Sequence, residues 1–345
     1  MSPLALFIFL SSLATGTTIT LSSHHWILAW IGLEINTLAI IPMMTKIPHP
    51  RAIEAATKYF LTQAAASALI LFAAMVNTWA FGEWDIQSMS TTVSIPITIA
   101  LCMKLGLAPL HFWMPEVLQG ISLSTGFILS TWQKIAPMAL LIQISKSTDL
   151  SLLVMMGLLS IIIGGWGGIN QTQLRKIMAF SSIGHLGWMI IILKFNPHLT
   201  LFNFILYIIM TSAMFMTLLA LNTTKMSQLS TSWPKTPMLT MISMLTLLSL
   251  GGLPPLTGFA PKLLITMELV KQDSPILAGA MLLTSLLALY FYVRMTYVMA
   301  LTLAPNTTPS KTVWRSKPNK TSFVAILNML ALLLLPISST IITLL

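Results

Sequence analysis

Glu34, Lys104, Lys134 and His185 are ionisable side chains set at or near the middle of long apolar runs. Glu34 lies in HWILAWIGLEINTLAIIPMM and Lys134 in LSTGFILSTWQKIAPMALLIQIS. His185 lies in RKIMAFSSIGHLGWMIIIL and Lys104 in ITIALCMKLGLAPLHFW. A charge at the bilayer centre costs at least about 2.5–3.5 kcal/mol on insertion scales, so such a group normally faces the protein interior and has a function there. Carboxylate, amine and imidazole share one capacity: each takes up and releases a proton as its surroundings change. The chemistry this points to is movement of protons or ions through a membrane. Lys262, directly after Pro261, and His111, in APLHFW, extend the set. Each has a plainer alternative. Glu34 as a carboxyl that only hydrogen-bonds a neighbouring helix, Lys104 as its static counter-ion, Lys262 as a snorkelling cation and the histidines as satisfied core groups all fit the local sequence. Lys134 is the hardest to explain without a function, having no acidic residue in its own run.

The elements that must position these groups follow from composition. Hydrophobic residues make up 56% of 345 and charged residues 8%. That is too little charge for a solvated shell, so the expectation is an all-α polytopic membrane protein. At about 20 residues per crossing, about 11 transmembrane helices are expected, near 3–21, 25–44, 54–78, 92–112, 123–145, 150–169, 175–194, 199–221, 237–258, 276–303 and 321–344. Loops on one side carry Lys46, Arg51, Arg175, Lys176, Lys225, Lys235, Lys311, Arg315, Lys317 and Lys320, against Lys146, Lys194 and Lys271 on the other. The basic bias places the N-terminus on the matrix or cytoplasm-like side, and the odd count places the C-terminus opposite.

GLAPLHFWMPE (106–116) aligns without gaps on GLPPLTGFAPK (252–262), with five identities. The shift carries the fourth span onto the ninth, and an odd shift reverses direction across the membrane. Two inverted five-helix repeats are therefore expected, 1–148 and 149–304, with a polar loop and a C-terminal helix over 305–345. Proline lacks the amide donor and clashes with the preceding turn. Each repeat thus contains a broken helix, of the kind that lines ion pathways in transporters. Glu54 and Lys58, four apart, read as a surface pair. Arg294 reads as an interfacial snorkeller, and GGWGG (164–168) as close helix packing. The single cysteine, Cys102, excludes a cysteine-ligated iron–sulfur or zinc site within the chain alone. The net charge of +10 is spread over loops between apolar spans, which argues against nucleic acid as a partner.

WIGLEINTLAIIP, EAATKYFLTQA, MKLGLAPLHFWMPEV, WQKIAP, WGGINQTQLRKIMAFSSIGHLGW and LSLGGLPPLTGFAPK together carry a resemblance over residues 30–262. They are similar to the antiporter-like proton-pumping subunits of respiratory complex I, the mitochondrial NADH:ubiquinone oxidoreductase, and among these to the subunit 2 family. The resemblance implies a core membrane-arm subunit of the mitochondrial inner membrane that translocates protons, coupled to electron transfer in other subunits. It implies that Glu34, Lys104, Lys134 and Lys262 occupy the family's proton-relay positions, and His185 that of a family histidine. It implies no cofactor in this chain, with NADH, FMN, iron–sulfur clusters and ubiquinone held by other subunits. Its partners would be other membrane-arm subunits, neighbouring antiporter-like subunits among them, and lipids. In the mechanism so implied, Glu34 and Lys104 form an input pair, and separating them drives the Lys104 proton toward Lys134. His185 and water then bridge to Lys262. The rival classes are a cation/proton antiporter acting alone and a non-pumping scaffold subunit.

Overall fold

The computed structural model describes residues 2–46, 48–233, 236–300, 322–338 and 340. Among them the chain is helical, without strands: α1 (Pro3–Ser22), α2 (Trp26–Met44), α3 (Pro50–Phe81), α4 (Thr91–Leu105), α5 (Trp113–Gly120), α6 (Leu123–Ser130), α7 (Ile135–Gln143), α8 (Leu150–Ile169), α9 (Leu174–Ile192), α10 (Pro197–Leu221), α11 (Met226–Ser230), α12 (Pro237–Gly251), α13 (Phe259–Lys271), α14 (Pro275–Ala300) and α15 (Ser322–Leu333). A 3-10 turn, Trp132–Lys134, separates α6 from α7. The all-α polytopic expectation holds. The basic loop at 305–320 and the end of the last expected span lie outside the described residues.

Helix starts are written locally. The Ser2, Ser90 and Ser122 side chains accept the amides of Ala5, Val93 and Thr125, which satisfies one of the donors a first turn leaves open. His49 does the same for Arg51, with Pro50 at the position where a missing amide costs nothing. α1, α2, α3, α8, α10 and α14 are each long and apolar enough to cross a membrane. α4 and α12 have 15 residues each. At 1.5 Å per residue each reaches about 22 Å, short of the roughly 30 Å hydrocarbon core. They stop early because the chain breaks at the two motifs aligned in sequence.

The two breaks share one geometry. Gly106 and Gly252 adopt φ of 79° and 77°, a left-handed conformation that glycine enters without a Cβ penalty. The Gly106 amide donates to Cys102 and Met103, and the Leu107 amide to Cys102. The Gly252 amide donates to Ser249 and Leu248, and the Leu253 amide to Leu248. The next peptide but one is cis in both, Ala108–Pro109 and Pro254–Pro255. A third break was not expected. The run 123–145 was read as one span, but the helix ends at Ser130, tightens through the 3-10 turn and restarts at Ile135. No glycine or proline lies at the interruption itself, and Pro137 enters only in the first turn of α7. Lys134 closes that turn.

The chain packs as two compact units, Met1–Ser160 with Met189–Pro197, and Ile161–Trp188 with His198–Leu345. In the first, α1 lies against α2 through small residues: a Cβ on Gly16 would stand 2.9 Å from the Gly32 carbonyl oxygen. α3 packs on α2, α4 and α5. Lys58 of α3 holds Glu54 at 2.6 Å, as the four-residue spacing implied. It also holds Glu116 of α5 at 2.6 Å, tying α3 to the segment after the first break. In the second unit α14 packs on α11, α12 and α13. GGWGG is a packing face: a Cβ on Gly164 would sit 2.7 Å from the Gly184 amide nitrogen, and one on Gly168 2.7 Å from the Phe291 ring. Arg294 has a defined partner. Its guanidinium donates to the carbonyl of Ile169, the last residue of α8.

Candidate proton-transfer site

Lys104 sits one residue before the end of α4, and Lys134 closes the 3-10 turn. They are 6% and 2% exposed, and both line one cavity. Its walls come from α2 (Asn36, Thr37), α3 (Tyr59, Gln63), α4 and the broken stretch around Gln133. The interruption at Thr131–Lys134 therefore serves the site: a 3-10 turn places Gln133 and Lys134 together on it. Gln133 Nε2 donates to the Asn36 carbonyl at 2.9 Å, anchoring the turn to α2. The Lys104 ammonium nitrogen has no hydrogen-bond partner in the protein.

Glu34 stands beside this cavity rather than in it. It is half-buried, with one carboxylate oxygen, Oε2, fully enclosed and unpaired. Its field reaches Lys104 and Tyr59, yet no Glu34–Lys104 contact lies within 4 Å among the ion pairs of the described residues. The two interact through space and not as a closed salt bridge. A carboxylate held at that remove stabilises the lysine cation without locking it.

The second unit carries its own cluster. His185, Lys262, Ser181, Ser285 and Tyr292 line a cavity with about 20 Å³ open to the centre of a water-sized group. Tyr292 Oη lies 3.5 Å from His185 Nε2, and the His185 ring stacks obliquely at 5.9 Å from Tyr207. Lys262, in the first turn of α13, donates to the Gly251 carbonyl at 2.6 Å. That carbonyl belongs to the last residue of α12, the negative end of a helix dipole. Lys262 thus reaches back across its break to the place that Lys104 holds directly in the first motif.

His111 is buried, with Nδ1 3.2 Å from the Pro109 carbonyl oxygen. It lines neither cavity and reads here as a support of the first break. The structure thus groups Lys104 with Lys134, and His185 with Lys262, with Glu34 acting on Lys104. It adds groups that sequence reading passed over: Asn36, Gln63 and Gln133 in the first cavity, Ser181 and Tyr292 in the second. The signal for the amides was present, since Asn36 and Gln63 are polar groups deep in apolar helices and carry the same expense argument as the lysines. No group of three or more His, Cys, Asp or Glu able to hold a metal ion occurs among the described residues.

The chain is similar to known proteins over most of its length. Residues 23–288 match the family model described as NADH:quinone oxidoreductase/Mrp antiporter, TM, and residues 289–342 that of the NADH dehydrogenase subunit 2 C-terminus. NADH-ubiquinone oxidoreductase chain 2 of Aquarana catesbeiana is 67% identical over all of both chains. That of Xenopus laevis is 56% identical over 98% of this chain and 99% of its own. Among solved structures, a chain of respiratory complex I from Thermus thermophilus superposes with a TM-score of 0.82 at 25% identity, covering 96% of this chain and 79% of that one. A chain of the Mrp complex from Dietzia gives 0.83 at 16% identity, covering 96% and 75%; this likeness is one of fold alone.

Proposed function

This chain belongs to the NADH-ubiquinone oxidoreductase chain 2 family, membrane subunits of respiratory complex I, and from that premise we propose that it carries protons across the mitochondrial inner membrane through Glu34, Lys104, Lys134, His185 and Lys262. The observation that carries the reading is the shared cavity of Lys104 and Lys134, two buried amines on one enclosed space. A structural cation would do better as leucine at that depth. Two amines facing one cavity can exchange a proton: an N–H bond breaks on one ammonium, and one forms on the other's neutral nitrogen. Glu34 is the control. Moving its carboxylate nearer or farther changes its Coulombic hold on the Lys104 proton. In the second unit, His185 and Tyr292 supply the groups that accept and pass on a proton beside Lys262. Driving one charge against the membrane potential takes about 2.3 kcal/mol per 100 mV, supplied by electron transfer in other subunits of the complex. NADH, FMN, iron–sulfur clusters and ubiquinone belong to those subunits in this reading.

Eleven crossings in two inverted repeats, with the N-terminus on the matrix side, fit the contacts within each unit. In the first, the His25–Asp85 bridge and the Lys194–Thr148 hydrogen bond each join loops assigned to the same face. Lys58 and Glu116 join segments assigned to the other. In the second unit, Gln173 bridges Lys225 and Arg294 reaches Ile169, again pairing segments of one assigned side.

The test is Lys134→Met, which keeps length and apolar volume and deletes the exchangeable proton. The assembled complex is expected to lose most coupled NADH–quinone turnover and the proton gradient with it. Arginine at 134 is expected to fail as well, since it cannot release its proton, and histidine to restore part. Normal turnover and a normal proton yield in assembled Lys134→Met would make Lys134 structural and sink the proposal.

A further inference from the structure

Three side chains on the first cavity hold buried polar atoms that nothing among the described residues satisfies: Asn36 Nδ2 and Oδ1, Gln63 Nε2 and Lys104 Nζ. Asn36 is 2% exposed and Gln63 4%, and both line the cavity with Lys104 and Lys134. Leaving a buried amide unpaired is destabilising, so such groups normally find a partner. The cavity leaves about 10 Å³ to the centre of a water-sized group, close to what one water needs, and a buried water needs two to four polar neighbours. The second cavity has no unpaired amide on its wall.

We propose that Asn36 and Gln63 are positioning residues: their two amides fix a single water that joins Lys104 to Lys134 and sets the direction in which it hands on a proton. The inference rests on the proton-transfer reading above. Water has two lone pairs and two hydrogens. It accepts from Gln63 Nε2 and from the Lys104 ammonium, donates one hydrogen to Asn36 Oδ1, and keeps one for the cavity wall that carries Lys134. In the transfer step the Lys104 N–H bond breaks as a bond forms to the water oxygen. The water's remaining O–H bond breaks as an N–H bond forms on the Lys134 amine. One proton has moved and no electrons have. Asn36 is suited to the task because its amide has little room to swing away. A Cβ on Gly16 of α1 would lie 2.5 Å from Asn36 Oδ1, so α1 packs closely on the amide and limits its rotation.

The experiment uses the assembled complex in sealed inner-membrane vesicles, with Asn36→Leu, Gln63→Met and Asn36→Ser beside Lys134→Met. Turnover per assembled complex, gradient formation with a pH-sensitive dye and the H2O/D2O rate ratio are measured. Apolar side chains of similar size should assemble normally. Asn36→Leu and Gln63→Met are expected to slow coupled turnover about 10-fold or more, as misplacement of a reacting group does, and to raise the isotope ratio. Asn36→Ser, which keeps a hydroxyl and leaves space for a second water, is expected to regain part of the rate. Wild-type turnover and isotope ratio in the amide variants overturn the inference. So does a loss that only follows the amount of complex assembled. If Asn36→Leu does not assemble, Gln63→Met and Asn36→Ser decide by the same readouts. Loss in Lys134→Met with normal amide variants removes only this inference; normal turnover in Lys134→Met removes the proton-transfer reading beneath it.

Discussion

Lys104 and Lys262 reach a common environment from opposite sides of a break. Lys104 lies in the last turn of α4, while Lys262 begins after its break and folds back onto the last carbonyl of α12. Lys262 meets the negative end of a short helix directly, and Lys104 belongs to the last turn of one, where a positive charge gains about 0.3–1 kcal/mol. The matching positions differ in sequence, with Glu116 facing Lys58 where the second motif has Lys262. Gly252 tests this at single-residue resolution. Its φ of 77° makes alanine there strained by roughly 1–2 kcal/mol. A Cβ would also come within 2.8 Å of Lys262 Cδ, Cε and Nζ. Gly106 has the same strain, but its nearest neighbour is the Trp113 ring at 3.2 Å. Gly252→Ala is therefore expected to lower turnover per assembled complex more than Gly106→Ala. Equal losses in the two would mean that the Lys262–Gly251 contact has no part in transport.

At the scale of elements, the broken helices depend on neighbours that fit them closely. α8 presents its glycines to α9 and α14. Backbone is the obstacle at Gly164, where a Cβ would meet the Gly184 amide at 2.7 Å and the Phe180 carbonyl oxygen at 2.9 Å. Neither atom can give way without moving α9, which carries His185. Gly164→Ala is expected to destabilise the packing by about 1–3 kcal/mol, the usual range for overpacking, and to lower the temperature at which the solubilised complex loses activity. Gly279 of α14 has nothing within 4 Å of its added Cβ. Gly279→Ala should be neutral or slightly stabilising, since alanine is the better helix former. An equal drop in both would point to a general intolerance of substitution in these helices. The Lys58 bridge to Glu54 and Glu116 is exposed and contributes little to stability. Its value is geometric, holding α5 against α3 after the first break.

For the whole molecule, the prediction is topological. Cationic loop residues Lys46, Arg51, Arg175, Lys176 and Lys225 outnumber Lys146, Lys194 and Lys271, and on the positive-inside rule the expected arrangement has the N-terminus on the matrix side. Epitopes placed near the N-terminus and in the 145–149 loop, probed in sealed inner-membrane vesicles of known orientation, should be accessible from opposite faces. Accessibility from one face would remove the eleven-crossing arrangement and the inverted repeat with it.

The membrane class, the rough position of the apolar helices among the described residues, the two Gly-Pro breaks and the mid-span lysines followed from the sequence alone. Each rests on local physics: an apolar stretch of about 20 residues, a proline without a donor, a glycine at positive φ, a charge whose depth must be compensated. Three things were decided only by tertiary packing. Pro137 lacks an amide donor and its ring opposes the Gln133 carbonyl four residues earlier, a local cause for the helix interruption. What packing alone decides is that the interruption puts Lys134 on a cavity shared with Lys104, with Gln133 bonded across to Asn36. Arg294 resembles any interfacial cation until α14 and α8 lie side by side and the Ile169 carbonyl is within reach. Glu34 and Lys104 look like a salt bridge on paper, yet the fold holds them apart while leaving them within each other's field. Which groups share an enclosed space depends on how separate helices meet, and no local spacing records that.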